Sequence, residues 1–444
     1  MTSASVQLPS RAVPFGQAWR AWARVAAQSF GGPAGQIAVI HRIAVEEKRW
    51  LDERTFLRAL GYCMLLPGPE AQQLATYIGW KLHGVRGGLV AGGLFVLPGF
   101  LAILALSVVY VVFGSTPMLG AVFYGLKPAV LAIVLQAVAR LRKRALGDPL
   151  SITLAAGALV AMFAFGVPFP LVVLTAAMIG AWAGQASRGR GAEAELHTPE
   201  AAPDKRAPVW HALRAAAAWL AIWLLPVAGL LVFLTPHHVF SCEAVFFSKT
   251  AVVTFGGAYA VLAYVAQQAV EVYHWLAPAE MLDGLGLAET TPGPLIQVVQ
   301  FVGFLGAYRN PGGLDPLVAG IFGSVVTTWV TFAPCFLFIF AGAPFLEVLS
   351  QRSWLQAALA AITAAVVGVI LNLAVWFSLH TLFAETRTAV AGPVHLNLPV
   401  WSTLDIGSAL IATTAVVLAF RYRAGIFTLL GFGTGAGILL SSWP

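Results

Sequence analysis

Charge is what this sequence has least of. Asp, Glu, Lys and Arg make up 10% of its 444 residues, against about 25% in an ordinary soluble domain. Hydrophobic residues make up 59%, and mean hydropathy is +0.81. A soluble protein of this size could not cover its surface with so few polar groups, so the solvent for most of the chain is lipid. Cysteine is scarce too. Cys63, Cys242 and Cys335 are odd in number, far apart and set in apolar sequence, which excludes a disulfide framework and a thiolate metal site. No H-E-x-x-H, P-loop or G-x-S-x-G pattern occurs, so enzyme and ATPase readings have no support. No cofactor or metal is expected. His41 and His83 neighbour basic loops and read as interfacial residues rather than ligands. Met1 to Pro14 lacks the apolar core of a signal peptide, so insertion is expected to use the first helices themselves.

Long apolar runs are what the chain has in quantity. Residues 88–113, 150–186, 209–235, 315–346, 354–383 and 404–443 each supply the roughly 20 apolar residues of a spanning helix, and some are long enough for two passes. The net charge of +7 could suggest nucleic acid in a soluble protein. Here the Lys and Arg residues sit in short loops and read as topology signals. The expected partner is the lipid bilayer, not nucleic acid.

The chain repeats itself. SFGGPAGQ at 29–36 matches TFGGAYAV at 254–261, and LPGPEAQQ at 66–73 matches TPGPLIQV at 291–298. Phe30 and Phe255 are 225 residues apart, as are Pro67 and Pro292, Trp50 and Trp275, Gly61 and Gly286, Gln72 and Gln297, and Gly87–Gly88 and Gly312–Gly313. Six matches in one ungapped register indicate duplication. The expected organisation is a first transmembrane repeat over 1–186, a charged Pro-rich linker over 187–208, a connecting transmembrane helix over 209–235 and a second repeat over 236–444. Between 41 and 86 the first repeat carries Arg42, Lys48, Arg49, Arg54, Arg58, Lys81 and Arg86. The matching window, 266–311, has only Arg309, with Glu271, Glu280, Asp283 and Glu289. Under the positive-inside rule these segments face opposite sides, and the helix over 209–235 supplies the odd crossing that inverts the second repeat. RLRKR at 140–144 places the end of the first repeat in the cytoplasm. The expected fold is therefore an all-α polytopic membrane protein, its two homologous halves forming an inverted repeat with interrupted, re-entrant or fully crossing, helices.

The interruptions carry the candidate site. Gly31-Gly32-Pro33 and Pro67-Gly68-Pro69 break two helical segments of the first half; Gly256-Gly257 and Pro292-Gly293-Pro294 break their counterparts. Broken backbone inside lipid survives only where protein or water shields it, so the breaks point to a central cavity. Free N–H groups at half-helix starts attract anions. The competing reading is a set of packing kinks, which one motif alone would favour and the recurrence of both motifs weighs against. Ala258 stands where the first half has Pro33, which predicts a less sharp second break. Ser29 and Thr254 precede the first breaks, and Gln72 and Gln297 follow the second ones. Their polar groups suit a cavity wall, or helix packing. Arg24 and Lys249 hold equivalent places inside apolar runs, where a cation needs a partner or water: a dianion is one such partner, snorkelling to the interface the alternative. Glu70 follows the first Pro-Gly-Pro and Glu289 precedes the second; both are candidates for proton coupling, with helix capping the simpler role for Glu70.

SFGGPAGQIAVIHR, KRW at 48–50, LPGPEAQQLATYIGW and ETTPGPLIQVVQFVGF resemble the signatures of the chromate ion transporter family, in its long-chain type with two fused homologous domains. The resemblance covers both halves. It implies a bacterial inner-membrane carrier that exports chromate from the cytoplasm, driven by the proton gradient, and confers chromate resistance. Sulfate, of nearly the same shape and charge, is the implied competitor, and sulfate or another small oxyanion the alternative substrate. The family motif residues fall on Gly31, Gly32, Pro33, Pro67, Gly68 and Pro69, and on Gly256, Gly257, Pro292, Gly293 and Pro294. A homodimer is a further expected partnership. A membrane-embedded enzyme or structural protein is the reading from another class, and it lacks catalytic clusters or large soluble surfaces.

Overall fold

The computed structural model describes residues 13–30, 32–114, 116–188, 209–255, 257–342 and 352–441. Most of the expected linker lies outside these, as do Gly31 and Gly256. The first half contains α1 (Phe15–Gln28), α2 (Gly32–His41), α3 (Glu53–Cys63), α4 (Glu70–Phe113), α5 (Pro117–Ala145), α6 (Pro149–Phe165) and α7 (Phe169–Arg188). Then comes α8 (Val209–Phe233). The second half contains α9 (Val239–Val253), α10 (Ala258–Gln267), α11 (Pro278–Thr290), α12 (Val298–Arg309), α13 (Pro316–Gly342), α14 (Ser353–Leu382), α15 (Ile406–Arg421) and α16 (Ile426–Ser441). Helices α4, α5, α8, α13 and α14 are long and apolar enough to cross a membrane.

The two halves match in backbone detail. A π-helical turn follows α2 at Arg42–Glu47 and α10 at Gln268–Val272. Arg49 and His274, 225 residues apart, adopt the left-handed conformation at φ 51° and 52°. Trp22 packs on Trp50 with ring centres 5.8 Å apart, and their counterparts Phe247 and Trp275 repeat the contact at 5.9 Å.

Each half opens with two helical hairpins. In α4 the chain reverses at His83 and Gly84, the latter at φ 61° and ψ −154°, a region essentially reserved for glycine. The arm over 70–82 then lies antiparallel on the arm over 85–113: Gly79 touches Gly87 and Ala91, and Thr76 touches Gly88 and Gly92. The second half reverses instead through the turn between α12 and α13, where Gly312 and Gly313 have φ 59° and 93°. The matched Gly-Gly pairs thus serve different ends, close helix packing in the first half and turn formation in the second. The antiparallel arms fit the hairpin form of the expected interrupted helices.

The remaining helices are exchanged between halves. α5 packs against α15 and α16, whereas its counterpart α14 packs against α6 and α7. Small residues permit the close approach, as is usual in membrane bundles: Gly125 meets Gly433 and Gly437, and Gly180 meets Ala357 and Ala361. The register of 225 ends here. Pro149 of α6 and Ile406 of α15 are 257 residues apart, partly because the second half inserts an antiparallel hairpin, β1 (Thr386–Ala391) with β2 (Val394–Pro399). The expected all-α class stands, and this small hairpin is an addition that the sequence reading did not include. Its alternating TRTAVA and VHLNLP strands are short and sit between two apolar runs.

α5 was also absent from the apolar runs read from sequence, because Lys127-Pro128 and the basic end at 140–144 dilute its hydropathy.

Candidate functional site

The second break of each half is held against the residue that precedes the first break of the other half. The Gly68 N–H donates to the Thr254 carbonyl at 2.8 Å, and the Gly293 N–H donates to the Ser29 carbonyl at 2.8 Å. Gly68 and Gly293 are equivalent, as are Ser29 and Thr254. Reciprocal contacts of this kind are the signature of a two-fold relation. Both bonds depend on glycine at φ 118° and 103°, where a side chain would be strained. Pro69 and Pro294 follow directly and occupy the N-cap positions, where a missing N–H costs nothing.

Helix starts gather around these bonds. α2 begins at Gly32, α4 at Glu70 and α10 at Ala258, and a 3-10 turn over Leu295–Gln297 leads into α12. Neither α4, α10 nor that turn has a side-chain cap. The first ladder bond of α4 runs from Gln73 N–H to the Pro69 carbonyl, so the N–H groups of Glu70, Ala71 and Gln72 precede the ladder. Each start carries about half a positive charge. The break before α10 persists despite Ala258, since Gly257 takes φ 99°, close in kind to Gly32 at 76°. Ala258 and Pro33 are both simply early helical residues.

The side chains are arranged less evenly. The Ser29 hydroxyl donates to the Val25 carbonyl at 2.7 Å and that of Thr254 to the Thr250 carbonyl at 2.6 Å. Their protons are committed to their own helices, and it is their carbonyls that join the centre. Gln72 and Gln297 are buried, and in both the Oε1 lacks a partner among the described residues. Buried polar atoms without partners are rare, and here the same atom lacks one at two matching positions. Gln36 donates to the Gly293 carbonyl at 2.6 Å and Gln73 to the Pro67 carbonyl at 2.7 Å. Sequence reading missed both, because their counterparts are Val261 and Val298.

Arg24 and Lys249 are not at this centre. Arg24 forms an ion pair with Glu47 at 2.7 Å and is half exposed. It lies on a polar face of α1 with Gln17, Arg20 and Gln28, all exposed, and Arg42 donates to Gln28 at 2.6 Å. This face leads from the basic end of the first half toward Ser29. Lys249 is exposed on α9, and no described acidic group pairs with it. Glu70 is half-buried at the start of α4. Glu289 is buried near the end of α11 and accepts the Tyr259 hydroxyl, and its other oxygen has no hydrogen-bond partner among the described residues.

Two buried acids escaped the sequence reading. Glu243 on α9 is fully buried and neither of its oxygens has a hydrogen-bond partner among the described residues. It packs so closely on Gly306 and Gly323 that a Cβ on either would lie 3.2 or 3.1 Å from its carboxyl oxygens. Asp283 on α11 was counted only as a loop charge, but it is buried against Tyr110 and Lys127. An acid inside an apolar run was the available signal in both cases.

The family model for chromate transporters matches residues 16–181 and 243–438, one region in each half. The chain belongs to the chromate transporter family. It is 28% identical over 400 residues, 90% of its length and 86% of the other, to a chromate transport protein of Cupriavidus metallidurans. It is 32% identical over 356 residues, 77% and 76% of the two chains, to a chromate transport protein of Pseudomonas aeruginosa. An uncharacterized transporter of Bacillus subtilis matches over 122 residues at 31% identity, 28% of this chain and 61% of that protein, as a relative of single-repeat size would. No solved structure matches. Membership of a family of transporters, its bacterial relatives and the long apolar helices make this a multi-pass protein of the inner membrane, and a transporter rather than an enzyme.

Proposed function

We propose that the protein is a secondary transporter that exports chromate from the cytoplasm, drawing on the proton gradient, and so confers chromate resistance. The observation that carries this reading is the meeting of helix starts from both halves, those of α4, α10 and the turn before α12 uncapped, around two reciprocal backbone bonds. That layer offers a dianion several N–H donors and partial positive charge in both halves at once. Broken helices at the interface of inverted repeats are where secondary transporters bind substrate. The chromate transport proteins among the relatives support chromate as the cargo. The residues proposed to contact it are those around the breaks, Gly32, Gly68, Gln72, Gly257, Gly293 and Gln297 foremost. Arg20, Arg24 and Arg42 then act as a cationic approach from the cytoplasm, which raises local anion concentration without forming the site. Glu70 and Glu289 remain the proposed proton carriers, since both lie within a few residues of a Pro-Gly-Pro break.

Uptake of radiolabelled chromate into inside-out vesicles, with and without an imposed proton gradient, tests the reading. Uptake that depends on the gradient and is reduced by excess sulfate is expected. Sulfate accumulated in preference to chromate would turn the assignment to a sulfate carrier.

A further inference from the structure

Lys127 sits ten residues into α5, in a stretch that is otherwise apolar until its basic end. A lysine there needs a partner or water, and it has some of each. Its Nζ is 3.5 Å from Asp283 Oδ1 on α11, while its side chain stays 24% exposed. A closed charge-assisted bond measures about 2.7–2.9 Å, so this pair is loosely joined, and among the described residues Asp283 Oδ1 accepts no hydrogen bond. The other carboxyl oxygen accepts the Tyr110 hydroxyl at 2.9 Å.

Tyr110 also lines a cavity of about 260 Å³ with Gly114, Glu280, Tyr308 and Arg309. Liquid water takes about 30 Å³ per molecule, so the cavity has room for a small tetrahedral anion and part of its hydration shell. Arg309 is in its wall, where Glu280 holds it through two bonds of 2.6 and 2.8 Å; Lys127 and Asp283 do not line it and connect to it through Tyr110. Gly114, at the end of α4 away from the basic terminus of α5, places the cavity toward the non-cytoplasmic side. The positions equivalent to Glu280, Asp283 and Arg309 in the first half are Thr55, Arg58 and Gly84. The cluster therefore belongs to one side of the membrane only, whereas the central breaks belong to both.

We propose that Arg309, in the cavity wall, and Lys127, behind Tyr110, are two oxyanion contacts on the non-cytoplasmic side, masked in this conformation by the carboxylates of Glu280 and Asp283. The inference rests on the oxyanion-carrier reading. Each cation is occupied by a carboxylate that stands where an oxyanion's oxygens would bind. An exporter must let go of its cargo on this side, and two resident carboxylates that compete for the same cations lower the affinity there. The loose Lys127–Asp283 pair is the one a dianion displaces first. The charged and titratable groups around Asp283 are Tyr110, Lys127, Glu280 and Arg309.

The test is inhibition of chromate export by chromate added on the external side of proteoliposomes holding the full-length protein in known orientation. Asp283→Asn is expected to lower the inhibitory concentration about tenfold, and Lys127→Gln to raise it by about as much. The double variant should behave as Lys127→Gln does. Tyr110→Phe, which keeps every charge and only frees the carboxylate, should shift inhibition about two- to threefold toward the Lys127→Gln direction, because a freed carboxylate closes more firmly on the lysine. External inhibition unchanged in Asp283→Asn, Lys127→Gln and Tyr110→Phe at matched membrane abundance overturns the masked site. Failure of the unaltered protein to transport chromate overturns the carrier reading instead.

Discussion

At the scale of single residues, the centre rests on places where no side chain can go. Gly99 of α4 faces the second Pro-Gly-Pro turn, and a Cβ there would stand 2.6 Å from the Pro292 carbonyl. Gly99→Ala is expected to abolish chromate transport while the protein still inserts, measured as vesicle uptake at matched abundance. Wild-type uptake would mean that this turn does not need to touch α4. Gly323→Ala puts a Cβ 2.5 Å from the Gly303 carbonyl and presses on Glu243. Overpacking of this kind costs about 1–3 kcal/mol, readable as a lower melting temperature in detergent. The surface cations behave differently. The Arg24–Glu47 pair is exposed and is worth at most about 1 kcal/mol, so Arg24→Ala should leave folding intact. Its expected effect is a raised apparent KM for chromate that shrinks as ionic strength rises, because exposed charges are screened beyond about 10 Å at 0.1 M salt. A salt-independent KM change would place Arg24 in direct contact with substrate. These residues also differ in how legible they were. Pro67, Gly68 and their counterparts stand out because backbone chemistry is written in residue type. Gln36, Asp283 and Lys127 do not, because their roles come from partners 257, 156 and 156 positions away along the chain.

At the scale of elements, the hairpins were readable wherever a local signal starts or stops a helix. Asp52 caps α3 by accepting the Thr55 N–H at 3.0 Å. The hydrogen bond with Thr55 holds its carboxyl below the usual carboxylate range. Asp52→Ala should cost about 1 kcal/mol. A depressed folded-state value means the ionised cap contributes fully above the unfolded value of about 3.9, and its contribution is lost as pH falls through the lower, folded one. The gap in melting temperature between Asp52→Ala and the unaltered protein should therefore be full at pH 7 and narrow below about pH 4. The β1–β2 hairpin had no such signal, since its strands are six residues each and flanked by apolar helices. α5 was hidden by the lysine that now gives it interest. Helix existence was legible through hydropathy; which helix lies beside which was not, because every spanning helix presents the same apolar surface.

At the scale of the molecule, the inversion makes a claim about sides. The segments around Lys48 and Glu271 should react with an impermeant thiol reagent from opposite faces of the membrane when each carries an introduced cysteine. Equal labelling of both from one face would sink the inverted arrangement. The exchange of α5 and α14 makes a second claim. Neither half encloses its own long helix, so each half expressed alone should be degraded, and co-expression of residues 1–200 with 201–444 should restore abundance and chromate uptake. Stable accumulation of the first half alone would show that α15 and α16 are dispensable to α5.

The separation of Lys127 from Asp283 also sets a schedule for biosynthesis. A ribosome adding about 5–20 residues per second makes the acid roughly ten to thirty seconds after the base. During that interval α5 must be held in or near the bilayer with an ammonium group that has no carboxylate to meet, and with α15 and α16 still unwritten. The nascent first half is thus a client that needs shelter, either in the insertion machinery or at the lipid interface, until the second half emerges to complete it.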